Sequence, residues 1–211
     1  MLRRACIVLL AVGTLFGAAP CLGQDTWHQE ADRLANLLHW HSGDVVAEIG
    51  AGKGNLTALV AQRVGPSGKI YSTELDPKAL AHLEELAATE HNIVAVRAAE
   101  DDTRLPNECC DSIFMRLVYH HFTKPAEIDA SLGRSLKPGG RLAVIDEAPY
   151  PGSQLPDGVP KNRGGHGIPQ KILVAELAAA GFEVETVLND WPNRDEHHQI
   201  YCVVFRKKPV N

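Results

Sequence analysis

Along this chain short apolar runs alternate with stretches whose apolar residues recur every three or four positions. The runs predict strands over 45–49, 69–74, 93–97, 111–117, 141–147, 182–188 and 198–206, and the periodic stretches predict helices over 55–64, 77–88, 124–136 and 169–180. Before them, Trp27, Ala31, Leu34, Leu37, Leu38 and His41 keep helical spacing, so an amphipathic helix is expected from Thr26 to about His41, ended by Ser42-Gly43-Asp44 and packed over the ligand end of the sheet. Strand–helix alternation of this kind makes a doubly wound α/β sheet, mostly parallel, with helices on both faces. No helix separates the last two of the seven strands, so the final strand is expected to run antiparallel.

The segment Val45 to Thr57 is the most informative. A buried strand meets Glu48, then Gly50, Gly52 and Gly54 at alternate positions, then the start of a helix. Glycines let backbone approach a ligand closely, and the helix start offers unpaired N–H groups. Asn55 stands where the dinucleotide fingerprint wants its third glycine, and Lys53 is followed by Gly54, not Ser or Thr, so neither the NAD turn nor a P-loop is matched. An anionic Glu48 at the strand end would favour a cationic ligand group over a pyrophosphate. Glu74, twenty positions after Gly54, ends the second strand where nucleotide-binding folds place a ribose-binding acid, and Pro77 opens the next helix.

These residues resemble the class I S-adenosylmethionine-dependent methyltransferases. Glu48-Ile49-Gly50-Ala51-Gly52-Lys53-Gly54 is similar to that family's first motif, and Glu74-Leu75-Asp76 to its ribose-binding motif. Glu100-Asp101-Asp102-Thr103-Arg104-Leu105-Pro106 resembles the adenine-binding loop, with Asp101 first choice for the adenine amino group and Asp102 and Glu100 competing. Asp111 to Leu117 looks like the fourth strand, and Leu136 to Leu142 the turn before the fifth. The resemblance covers about Val45 to Arg206. It implies the family's fold and S-adenosylmethionine as cofactor, held by Glu48, Gly50, Gly52, Gly54, Glu74, Leu75, Asp101 and Asp102; it leaves the methyl acceptor open, with a small molecule expected. A non-catalytic protein keeping the fold and a Rossmann NAD enzyme are the rival readings.

The composition fits one globular domain of 211 residues with 45% hydrophobic residues. A net charge of −5 and the lack of aromatic-basic interleaving speak against nucleic acid as partner. Arg3 and Arg4, the apolar run Ala5–Ala19 and the small residues up to Gly23 form the pattern of an export signal, so residues 1–23 are expected to be a signal peptide and 24–211 the domain. Cleavage leaves 19 basic against 26 acidic residues, a net −7, and no stable membrane insertion. The rival readings are an uncleaved anchor, a lipoprotein on Cys21, and a mis-set start before a cytoplasmic enzyme. Cys109, Cys110 and Cys202 would remain, the first two expected as free thiols in a loop; no C-x-x-C exists, and no metal site is expected.

Residues 149–169 carry five prolines and five glycines and follow the fifth strand, so they are read as a lid at the carboxyl edge of the sheet. Catalytic candidates cluster after strand ends. Tyr119, His120 and His121 follow the fourth strand, His166 sits between lid glycines, and Asp146 and Glu147 end the fifth strand. A histidine titrates near neutral pH and suits a general base if the acceptor must lose a proton, although packing or solvated roles compete for each. His197 and His198, after Asp195 and Glu196, would join a metal site only if their loop converged on the others.

Overall fold

The computed structural model describes residues 22–192 and 199–208. The expected cleavage segment therefore lies outside the described residues except for Leu22 and Gly23, and so do Asp195, Glu196, His197 and His198. Seven strands form one sheet: β1 (Val45–Ile49), β2 (Lys69–Glu74), β3 (Ile93–Arg97), β4 (Cys110–Arg116), β5 (Leu136–Glu147), β6 (Phe182–Leu188) and β7 (Ile200–Lys207). Their order is β3-β2-β1-β4-β5-β7-β6. β7 alone is antiparallel to both of its neighbours, as expected from the missing helix before it. Among the described residues five helices flank the sheet: α1 (Leu22–Leu38), α2 (Asn55–Val64), α3 (Pro77–Thr89), α4 (Pro125–Ser135) and α5 (Gln170–Ala179).

The near-continuous apolar strands are explained by two cores, one on each face. Successive residues of a strand point to opposite faces. Ala47 and Ile49 of β1, Ile113 and Met115 of β4, and Leu142 and Val144 of β5 pack against Ile128 and Leu132 of α4 and Leu173 and Leu177 of α5. Val46, Phe114, Ala143 and Ile145 face the other way, onto Leu34 and Leu38 of α1 and Leu56, Val60 and Val64 of α2. Each fully buried aliphatic side chain contributes about 1.5–3 kcal/mol.

The differences from the expected elements have local causes. α1 ends at Leu38, earlier than His41, because His39 takes a left-handed conformation (φ 57°) and terminates it. β5 begins at Leu136 and absorbs the glycine turn, because Cys110 pairs with Leu136 before a bulge resets the register at Ser112–Arg141. Cys109, Cys110 and Cys202 are free, but Cys110 is buried in β4 rather than in a loop. α3 opens at Pro77, and Asp76 caps it by accepting hydrogen bonds from the N–H groups of Lys78 (3.0 Å) and Ala79 (2.9 Å). No helix among the described residues is long and apolar enough to cross a membrane.

Candidate active site

In an open parallel sheet ligands bind beyond the strand carboxyl ends, where the strand order reverses. Here that point lies between β1 and β4. The loop after β1 enters it with Gly50, Gly52 and Gly54 all at positive φ (66°, 55° and 74°). The three glycines do different work. A Cβ on Gly50 would meet Val118 Cγ2 at 2.7 Å, so this residue lets the β1 loop and the β4 turn approach closely. A Cβ on Gly54 would lie 3.0 Å from Leu83 Cδ2, so this glycine seats α2 against α3. A Cβ on Gly52 would meet nothing within 4 Å, so this side of the loop is open to a ligand, while its N–H donates to Glu74 Oε2 at 2.9 Å.

Glu74 is thus tied to the glycine loop. Its Oε1 also accepts from the N–H groups of Leu75 (2.7 Å) and Asp76 (3.2 Å). Three backbone donors hold the carboxylate at the end of β2, on the wall of a cleft of about 230 Å³ that Gly50, Leu75, Glu100, Val118 and His121 also line. Leu75 is half exposed there, a large apolar side chain left uncovered.

Two sequence expectations change on meeting the packing. Glu48 does not face the ligand as an open carboxylate: it is 5% exposed and accepts a 2.6 Å hydrogen bond from Thr57 Oγ1 of α2. Burial pushes its carboxyl up to about 8, against the weaker opposing pull of the Thr57 hydrogen bond. The three acids after β3 also divide differently. Asp101 pairs with Lys124 at 3.1 Å, and that contact holds its carboxyl below the usual range. Asp102 accepts from Arg104 N, Ser131 Oγ and Arg134 Nη2, so it fixes the loop to α4. Glu100 is the acid that lines the cleft.

Opposite the β1 loop, β4 ends in a strained turn. Leu117 has φ 55°, costly for a residue with a Cβ, and its N–H donates to Ile145 O at 2.8 Å. The turn delivers Tyr119, His120 and His121 as one short 3-10 segment. His120 is sealed from solvent, and its Nδ1 lies 2.6 Å from Asp146 Oδ1. A carboxylate only accepts, so Nδ1 of this ring carries a proton. His121 faces the cleft; partial burial, then the neighbouring His120 and His166, push its pKa down.

The lid returns His166 to the same place. His166 Nδ1 lies 2.8 Å from Glu147 Oε1, and its N–H donates to Ser153 Oγ at 3.0 Å. Its ring is 4.5 Å from that of His120 and 5.2 Å from that of His121, centre to centre. A Cβ on Gly167 would sit 2.7 Å from Glu147 O, so the lid needs a glycine to pass this close to β5. Arg163, fully buried in the lid, pairs with Glu176 of α5 at 2.8 Å and stacks over the Tyr119 ring. Asp129, Glu176 and Arg163, which hold Tyr119 in place, were missed by the sequence reading; a lone charged residue carries no signal of burial.

Comparison with known proteins agrees with this geometry. Residues 47–144 match a family described as "Methyltransferase domain". The chain is 29% identical over 123 residues to a ubiquinone/menaquinone biosynthesis C-methyltransferase UbiE of Methylococcus capsulatus, a match covering 56% of this chain and 50% of that protein. It therefore spans about half the length of the curated relatives it matches. Among solved structures, a SAM-dependent methyltransferase from Aquifex aeolicus superposes with a TM-score of 0.63 at 20% identity, covering 87% of this chain and 97% of that one. The [4+2]-cyclase SpnF superposes with a TM-score of 0.70 at 16% identity, covering 87% and 82%. The fold is the Rossmann-like methyltransferase fold.

Proposed function

We propose that this chain is an S-adenosylmethionine-dependent methyltransferase acting on a small-molecule acceptor. The observation that carries the reading is the joined pair of Gly52 and Glu74 at the sheet's switch point, within the stretch that matches the methyltransferase domain. Glu74, aimed by three backbone N–H groups, keeps a lone pair on Oε2 for a ribose hydroxyl. Gly52 lets the methionine end pass over bare backbone. Leu75 and Phe122 give the adenine apolar walls, and Glu100 is placed to accept from its amino group. Asn55, the first residue of α2, takes the position of the third glycine in the NAD turn and speaks against a dinucleotide.

Methyl transfer is an in-line displacement at carbon, so the chain's main task is alignment. His121 on the cleft wall, with His120 and His166 behind it, marks the acceptor side. The 149–169 segment closes that side, held by His166–Glu147 and Arg163–Glu176. Ligand released by denaturing the purified protein, identified by mass spectrometry, tests the assignment: S-adenosylmethionine or its demethylated product is expected, and NAD would reject it.

The basic start and apolar run of residues 1–23 support export of the chain. Protein from its native host should then begin close to Gln24. A soluble form starting at Met1 would reject export.

A further inference from the structure

The three histidines of the site form one compact cluster. One ring nitrogen from each of His120, His121 and His166 lies within 4.8 Å of the others. Four ligands around zinc at 2.0–2.1 Å place their nitrogens about 3.3 Å apart, so small side-chain rotations would close the set.

Two further features point to a ligand. His120 Nε2 is buried and meets no hydrogen-bond partner among the described residues, although Nδ1 is engaged. A buried lone pair left unmet is costly, and a cation would meet it. In addition, His120 and His166 each give Nδ1 to a carboxylate, Asp146 and Glu147, the last two residues of β5. Metal-binding histidines are commonly oriented this way, because the carboxylate fixes the tautomer and makes the other nitrogen a better ligand. Both pairs leave Nε2 available.

We propose that His120, His121 and His166 bind one divalent transition-metal ion of the zinc type, with a further position open toward the cleft. Three histidines plus an open position is the pattern of catalytic rather than structural zinc. The sequence reading expected no metal and considered His120 and His121 as ligands only together with Asp146, His197 and His198, should their loops converge; it did not include His166. The ion's role rests on the methyl-transfer reading. The open position would hold the acceptor's hydroxyl or thiol as its anion, the proton having left to solvent. The heteroatom's lone pair then forms the new bond to the methyl carbon while the carbon–sulfur bond breaks, its electrons staying on sulfur. The acceptor class is thus a small molecule with an ionisable hydroxyl or thiol.

The test uses the untagged full-length chain, stripped with a chelator and titrated with Zn²⁺ in the absence of S-adenosylmethionine. One equivalent should bind, and His166→Ala and His121→Ala should each weaken it at least tenfold. Asp146→Asn should weaken it less. Co²⁺ in place of Zn²⁺ should give the visible absorption of a four-coordinate nitrogen site, absent in His166→Ala. S-adenosylmethionine affinity of His166→Ala, within about twofold of wild type, shows that the variant is folded. Zn²⁺ binding no tighter in wild type than in the variants overturns the site. Loss of S-adenosylmethionine binding by the wild type would instead reject the methyl-transfer reading and leave the metal result standing.

Discussion

His120 Nδ1 and Asp146 Oδ1 stand 2.6 Å apart with both side chains sealed from solvent. This pair ties the turn after β4 to the end of β5, across the two strands that flank the acceptor side. Asp146 Oδ2 also accepts from the His120 N–H at 3.2 Å, so the carboxylate fixes both the backbone and the ring of this histidine. His121, one residue on, is thereby set against the cleft.

Glu74→Ala should weaken S-adenosylmethionine binding by roughly tenfold or more. Charge-assisted hydrogen bonds to ribose are worth about 1.5–3 kcal/mol each. The same substitution frees the Gly52 N–H, so loop order is lost too. Calorimetric dissociation constants for both proteins check this, and unchanged affinity would mean that the cleft takes another ligand.

Gly50→Ala should disable the cofactor loop while leaving the sheet intact. The substitution meets Val118 Cγ2 at 2.7 Å and forces alanine to φ 66°, the latter costing about 1–2 kcal/mol. Adding Val118→Ala should restore part of the lost affinity, because it removes the clash but not the backbone cost. No gain in the double variant would show that the approach of these two loops is not what Gly50 provides.

Glu48 gives the protein a stability that depends on pH. Its carboxyl titrates near 8 when folded, against an ordinary value of 4.5. Its contribution is full below about pH 4.5 and falls as pH rises toward about 8, because the unfolded chain has released a proton that the folded one keeps. Asp129, pushed up to about 7 by burial, acts the same way over the lower part of that window. Urea denaturation at pH 5 and pH 8 should show wild type losing more stability than Glu48→Gln. Equal losses would mean that Glu48 is ionised in the folded state.

His166→Ala should act on turnover and not on cofactor affinity. With an acceptor that supports turnover, kcat should fall or the acceptor KM rise, while the cofactor dissociation constant stays within about twofold. Normal turnover would make residues 149–169 a plain connector.

The parts of the site legible in the sequence were those written locally. The β1–glycine–α2 unit, Glu74 at the end of β2, Pro77 at the start of α3 and the antiparallel β7 each follow from a short pattern. What escaped depends on distant packing. Glu48 reads as an anion until it is buried against Thr57 of α2. Glu100, Asp101 and Asp102 are alike in sequence, and only Lys124 and Arg134 of α4 separate their roles. The meeting of His166 with His120 requires the lid to fold back along β5, which Gly167 permits and Glu147 secures, and no spacing announces it.

The central claim is tested most directly by calorimetry of the purified protein with S-adenosylmethionine, its demethylated product and NAD. The glycine loop joined to Glu74 predicts binding of the first two and far weaker binding of NAD. NAD binding more tightly than S-adenosylmethionine would contradict it.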